Sequence, residues 1–310
     1  MNKFYKIKIK DYKKSFGERK NFNQQILKKI KKYNLNFSYI DKKDLPKIYS
    51  LIFKKINDRK SRILGARRLK DWEKGWGENL KDLKKKKQIS LLVPKWFKNL
   101  PLRWEKKFIN PNNPSFEFKF KEIFLSWIFM KYFKNIKNVY EYGCGTGTNL
   151  ILMKKIIPHV NLKGLDWSSE SGKIINFLNK KKKLNISFQR FNFYNFDQRQ
   201  KLPKNLCIFT IGALEQTGKN YKKFTNFLIK NKIKICINVE CMNELYNEKK
   251  YYSDKLAKIY HVKRGYLNNY FLYLKSLEKK SLIKIIKLQK QKLGSFYHEP
   301  YNFVIWKVLK

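Results

Sequence analysis

From Phe22 to about Phe133 the apolar positions mostly recur at helical spacing: Ile26, Ile30 and Tyr33, then Ile48, Leu51, Ile52 and Ile56, then Leu69, Trp72 and Trp76. This period predicts an N-terminal helical region. Pro94, Pro101, Pro111 and Pro114 interrupt it, and Asn110 to Ser115 (NPNNPS) reads as a loop. The loop divides a helical extension, residues 1–115, from a second region, residues 116–310. One further helix from Glu117, through Phe124, Trp127, Ile128 and Tyr132, leads into a different texture. Short apolar runs then alternate with helical patterns, as βαβ units do. Strands are predicted at 138–142, 162–165, 186–191, 206–210 and 233–239, with helices at about 148–157, 169–182 and 219–230. A long helical stretch from about Lys249 to Glu278 precedes two last strands, 282–291 and 301–308, with Gly294 and Pro300 bracketing the turn between them. The pattern predicts an α/β fold: a doubly wound sheet with an antiparallel edge, preceded by helices.

Composition supports a packed core, since 43% of the 310 residues are hydrophobic and 16% aromatic. Against 23 Asp and Glu stand 72 Lys and Arg, a formal net charge of +49. Such charge points to nucleic acid when it is clustered. Here only nine of the basic residues are Arg, and Lys is spread over nearly every segment. Lys, Asn, Ile, Tyr and Phe are all abundant, and their codons can be built from A and T alone. Genome composition therefore accounts for much of the charge, and runs such as Lys84 to Lys87 and Lys180 to Lys183 read as solvated faces or loops. Nucleic-acid binding stays open but is not favoured. The best apolar run, Ile123 to Met130, has eight residues, short of the ~18–20 a membrane helix needs. No apolar signal region follows the basic N-terminus, and Cys144, Cys207, Cys236 and Cys241 show no CxxC pairing, so a reducing cytoplasm is expected.

The informative stretch is Val139-Tyr140-Glu141-Tyr142-Gly143-Cys144-Gly145-Thr146-Gly147-Thr148-Asn149, a strand, three glycines at alternate positions and a helix. Glycines at such a turn permit positive φ and let backbone N–H groups approach a ligand without Cβ interference. The dinucleotide pattern G-x-G-x-x-G, begun at Gly143, would need glycine where Thr148 stands. The spacing G-x-G-x-G, with Glu141 two residues before the first glycine, resembles the first motif of class I S-adenosylmethionine-dependent methyltransferases. The resemblance covers about Lys131 to the C-terminus. It implies a Rossmann-like sheet of seven strands with the last antiparallel, S-adenosylmethionine as cofactor, and an N-terminal lid over the substrate.

Several residues take roles from that resemblance. Glu141, Gly143, Cys144, Gly145 and Gly147 form the cofactor turn. Asp166 ends the next predicted strand, 19 residues past Gly147, where a carboxylate accepts from the ribose hydroxyls, and Trp167 beyond it stacks on adenine. Asn192 ends the third strand, where the family has Asp beside a hydrophobic residue, here Phe193; its amide oxygen still accepts from the adenine amine. Ile211 and Gly212, after the fourth strand, neighbour the methionine portion and the reactive methyl. No Asn-Pro-Pro-Tyr, Asp-Pro-Pro-Tyr or Pro-Cys motif occurs, which lowers the expectation of base methylation.

Transfer to a hydroxyl acceptor needs an orienting wall and a proton acceptor. The candidates are Glu215 after the fourth strand, Glu240 ending the fifth with Glu244 four residues on, and His261 in a polar stretch beside Arg264 and Tyr266. Gly65 to Gly77, with two of the nine arginines, Trp72 and Trp76, reads as part of the lid or as core packing. His159, His261 and His298 are far apart in sequence and no Cys/His cluster has ligand spacing, so no metal is expected. The expected function is methyl transfer from S-adenosylmethionine to a small-molecule acceptor, such as a hydroxyl of a sugar-like metabolite. The alternatives are an RNA methyltransferase using the basic surface and a non-catalytic nucleoside-binding protein.

Overall fold

The computed structural model describes residues 3–58, 64–97 and 100–309. Its first part is not wholly helical, contrary to the sequence reading. In chain order it contains β1 (Phe4–Lys6), α1 (Ile9–Phe16), α2 (Gln24–Tyr33), β2 (Asn36–Tyr39), α3 (Leu45–Ile56), α4 (Leu69–Lys86), β3 (Leu102–Trp104) and β4 (Lys107–Pro111). The helices fall where the apolar period places them. The strands were missed because each is only three to five residues long, too short for alternation to register. A two-residue turn joins β3 to β4, with Glu105 and Lys106 both at positive φ, as a primed turn requires. Lys106 is held by ion pairs to Asp254 and to Glu299, the latter at 2.8 Å.

The remainder runs α5 (Phe116–Tyr132), β5 (Asn138–Tyr142), α6 (Thr148–Ile156), β6 (Asn161–Asp166), α7 (Ser169–Lys182), β7 (Ile186–Arg190), β8 (Cys207–Ile211), α8 (Tyr221–Lys230), β9 (Ile235–Val239), α9 (Tyr252–Arg264), α10 (Tyr270–Lys279), β10 (Ile283–Gln289), β11 (Leu293–Gly294) and β12 (Phe303–Val308). The expected long helix after Lys249 is two helices, because Gly265 takes a left-handed φ of 71° and ends α9. The main sheet has seven strands in the order β10-β12-β9-β8-β5-β6-β7. The pairs among β5 to β9 are parallel, and β12 runs antiparallel to both β9 and β10. This is the predicted doubly wound sheet with an antiparallel last strand. β11, lying in the supposed turn between the last two strands, leaves that sheet and pairs with β3. It completes a five-stranded antiparallel sheet, β1-β2-β4-β3-β11, so a C-terminal segment closes the N-terminal sheet.

Period-two alternation puts a core on each face of the main sheet. Phe209, Ile237, Phe303 and Ile305 face α5 and α6, while Ile208, Cys236, Val304 and Trp306 face α8 and α10. Helix α5 is buried on nearly every side, and Phe120 and Phe124 also pack against Phe16 of α1. The carboxyl ends of the parallel strands therefore open toward α4 and the segment before β12. No helix among the described residues is long and apolar enough to cross a membrane.

Candidate functional site

At the carboxyl ends of β5, β6 and β8 lies a cavity of about 560 Å³. Gly143, Gly145 and Gly147 hold φ of 82°, 51° and 74°, all in the left-handed region. A Cβ on Gly145 would come within 2.9 Å of the Trp76 ring, and one on Gly143 would collide with Ala213, so both positions need glycine for space as well as for φ. The turn is anchored from the N-terminal region too, since Thr146 Oγ1 donates to the Leu92 carbonyl at 2.8 Å.

Asp166 stands at the tip of β6 in the cavity wall. Its Oδ2 accepts the Gly145 N–H and its Oδ1 the Ser168 N–H, both at 2.9 Å. Burial pushes this carboxyl up to about 6 against the pull of those two bonds. Trp167 follows in the wall and stacks on Tyr194 at 6.2 Å between ring centres. Tyr194 OH donates to the Gln216 carbonyl at 2.7 Å, which joins the β7 and β8 ends across the cavity.

Behind the glycine turn lies a buried polar chain. Lys121 Nζ donates to Asn149 Oδ1 at 3.2 Å, and Asn149 Nδ2 donates to Glu141 Oε1 at 2.7 Å. Glu141 Oε2 is buried with no hydrogen-bond partner. Burial raises the Glu141 carboxyl to about 8 and lowers the Lys121 ammonium to about 8. Glu117, raised by burial to about 7, accepts from Tyr301 OH at 2.8 Å and lines the same end of the cavity.

Helix α4 forms one wall. Trp76, Leu80 and Leu83 pack on Ile151, Ile174 and Leu178, while Glu73 accepts the Ser169 N–H at 2.8 Å and the Ser168 hydroxyl at 3.0 Å. A carboxylate at the start of α7 meets the unpaired amides and positive end of that helix, so α4 is pinned there. Trp72, Trp76 and Trp96 cluster with ring centres 5.2–5.6 Å apart, and the Arg68 guanidinium lies 5.0 Å over Trp72. The two readings of Gly65 to Gly77 thus merge: these tryptophans pack together and also line the cavity.

The structure brings Gly143, Cys144, Gly145, Asp166, Trp167, Phe193, Ile211, Gly212 and Glu215 to the cavity wall. Five expected residues sit elsewhere, among them Gly147, which stands at the N-cap of α6. Glu141 lies behind the turn, as described. Asn192 turns its Oδ1 onto the Tyr194 N–H at 3.0 Å, an Asx turn, so its acceptor is engaged locally. Glu240 is buried beneath the β8 loop, where it accepts the N–H groups of Leu214 and Glu215 at 3.1 and 3.0 Å; its carboxyl is pushed up to about 8 by burial and by Glu215. His261 is fully buried, with Nδ1 2.5 Å from Asn243 Oδ1 and Nε2 2.8 Å from His298 Nδ1. Burial and the neighbouring His298 hold its ring well below the usual histidine range, so a freely titrating base at His261 is not what the fold builds. Glu244 caps α10 by accepting the Phe271 N–H at 2.9 Å.

His298 is the histidine that reaches the cavity, together with Tyr266 and Arg264. The sequence pattern predicts only a turn between Gly294 and Pro300. Its signal was the density of Phe296, Tyr297, His298 and Glu299 in what otherwise reads as a plain turn.

No protein-family model matches the sequence, and no curated protein does. Among solved structures, human N-acetylserotonin methyltransferase in complex with SAM is similar with a TM-score of 0.50 at 11% identity, covering 85% of this chain and 67% of that one. Magnesium protoporphyrin IX methyltransferase from Synechocystis with bound SAM scores 0.42 at 10% identity, covering 60% of this chain and 76% of that one. The small RNA methyltransferase HEN1 scores 0.43 at 13% identity over 60% of this chain and 25% of that one. At such identities the likeness speaks to the fold alone. The strand order, the antiparallel β12 and the first of these likenesses agree: the chain has the fold of the class I methyltransferases.

Proposed function

We propose that the protein transfers a methyl group from S-adenosylmethionine to a small, hydroxylated acceptor. The observation that carries this is Asp166, a buried carboxylate at the β6 tip held against the Gly145 amide inside a walled cavity. The residues present fit the cofactor. Glycines at 143 and 145 leave no Cβ in the way, Asp166 offers acceptors for two hydroxyls, and the unpartnered Glu141 Oε2 with nearby Lys121 suits an amino acid's opposite charges. When bound, S-adenosylmethionine supplies a methyl carbon on a positively charged sulfur, and displacement leaves a neutral thioether.

The chain's own residues orient the acceptor, exclude water and take its proton. Trp72, Trp76 and Tyr266 wall the cavity, whose volume lies within the ~300–1,000 Å³ range of small-molecule sites. That walled shape favours a small acceptor over an RNA strand, which needs an open groove. Glu215 is the candidate that lines the cavity, and burial raises its carboxyl, which makes its ionised form a better base. It receives the hydroxyl proton as the acceptor oxygen bonds to carbon.

The test is turnover of labelled S-adenosylmethionine against sugars, sugar acids and phenols, with an RNA pool alongside. Label in a small hydroxylated compound, lost in Glu215→Gln, supports the reading. Label in RNA alone would replace it with the nucleic-acid alternative.

A further inference from the structure

Cys241, His261 and His298 lie 20 and 37 residues apart along the chain, yet their ligating atoms all fall within 4.8 Å of one another. Three separate elements bring them together: the end of β9, the last turn of α9, and the segment before β12. We propose that this cluster is a zinc site on the acceptor side of the cavity. The inference uses the same cavity as the methyl-transfer reading, but metal binding itself does not depend on that reading.

Each feature of the cluster suits a cation of this kind. A thiolate with two neutral imidazoles is a three-ligand set for zinc, with a fourth position left for water or substrate. Asn243 Oδ1 faces His261 Nδ1, and an amide oxygen only accepts, so Nδ1 carries the proton and Nε2 presents its lone pair inward. Such an outer hydrogen bond is how a metal-binding histidine is usually oriented. His261 Nε2 and His298 Nδ1 approach to 2.8 Å, where a single proton can lie between them. Zinc with bonds of about 2.0–2.1 Å would take the place of that proton with a small separation of the rings.

The surroundings add to this. Glu215 and Glu240 are buried next to Cys241, and Glu215 Oε2 accepts the Cys241 N–H at 3.2 Å, so carboxyl oxygens lie beside the cluster, while the buried Arg103 acts on both imidazole rings from another side. Nearby, Tyr246 and Tyr266 stand 5.3 and 5.2 Å from the His261 ring, giving the cluster an aromatic shell. His298 and Glu215 both line the cavity, so the fourth position is reached from the acceptor's side.

The experiment uses the full chain, stripped with chelator and titrated with Zn²⁺ against a chromophoric competitor, then with Co²⁺ read by absorption. The expected result is one metal per chain, with a sulfur-to-cobalt charge-transfer band and the intense visible bands of tetrahedral cobalt. Cys241→Ser should remove the charge-transfer band, and Asn243→Ala should weaken zinc by about 10–100-fold. His159→Gln, at an exposed histidine, should change nothing. Sub-stoichiometric zinc in the wild-type chain, or cobalt bound without a sulfur band, overturns the proposal whether or not the variants fold. S-adenosylmethionine affinity measured on the stripped protein reports separately on the methyl-transfer reading.

Discussion

Asp166 Oδ2 accepts the backbone N–H of Gly145 at 2.9 Å, so one side chain ties the tip of β6 to the glycine turn that follows β5. The carboxylate thereby fixes the position of the turn relative to β6, and each of its oxygens keeps a lone pair beyond the one backbone N–H it accepts. Because burial raises this carboxyl to about 6, it is ionised at pH 7.5 and protonated at pH 5. Affinity for S-adenosylmethionine should fall as pH drops through about 6, since a protonated acid loses an acceptor. Calorimetric Kd values across pH 5 to 8 check this, and Asp166→Asn should flatten the profile.

Glu141 should cost the ligand-free protein stability at neutral and alkaline pH. Its folded carboxyl keeps a proton up to about pH 8, whereas the unfolded chain releases it near the ordinary 4.5. The penalty is absent below pH 4.5, grows by about 1.4 kcal/mol per pH unit across that window, and is fully present above about 8. Glu141→Gln is therefore expected to raise Tm at pH 8.5 more than at pH 5 while weakening cofactor binding. Thermal melts at both pH values, paired with calorimetry, read the two effects separately.

Gly145→Ala should damage binding more than folding. Its φ of 51° strains any L side chain, and the new Cβ would press on Trp76 at 2.9 Å. A cost of about 1–3 kcal/mol in stability is expected. The turn should also shift away from Asp166, so cofactor affinity should fall at least tenfold, about 1.4 kcal/mol. A binding loss no larger than the stability loss implies would speak against a ligand at this turn.

Glu215 and Glu240 should separate in kinetics. Glu215→Gln is expected to lower kcat with cofactor Kd unchanged, since it lines the cavity. Glu240→Ala should instead destabilise the protein by about 1–3 kcal/mol for each buried N–H left without an acceptor, those of Leu214 and Glu215 above all, with Ala213 more weakly bonded at 3.4 Å. Chemical denaturation and steady-state rates distinguish the two.

The main sheet was legible because its parallel strands are short segments centred on apolar residues and separated by helical patterns, densest at 207–211 and 235–239. Gly143 to Gly147 were legible as a turn because left-handed φ at three alternate positions favours glycine, and Asp166 as the tip of β6 because it closes a short apolar strand. The N-terminal sheet was not. Its β3–β4 hairpin turns on Glu105-Lys106 rather than Asn-Gly, and the left-handed backbone at Lys106 accompanies ion pairs with Asp254 and Glu299 from far along the chain. The pairing of β11 with β3 likewise joins residues 189 and 191 positions apart, beyond any local signal. His298 was overlooked for the same reason, since its position depends on how residues 294–302 cross from one sheet to the other. Asn192 and His261 were misplaced because the sequence gives no hint that Tyr194 N–H and His298 engage them.

The central claim is best tested by isothermal titration of S-adenosylmethionine and S-adenosylhomocysteine into the full chain and into Asp166→Ala. The structure predicts one site of micromolar affinity or better for both ligands, weakened at least tenfold in the variant while its melting curve stays cooperative. No heat of binding from either ligand with the folded wild-type protein would contradict a cofactor site at Gly145 and Asp166.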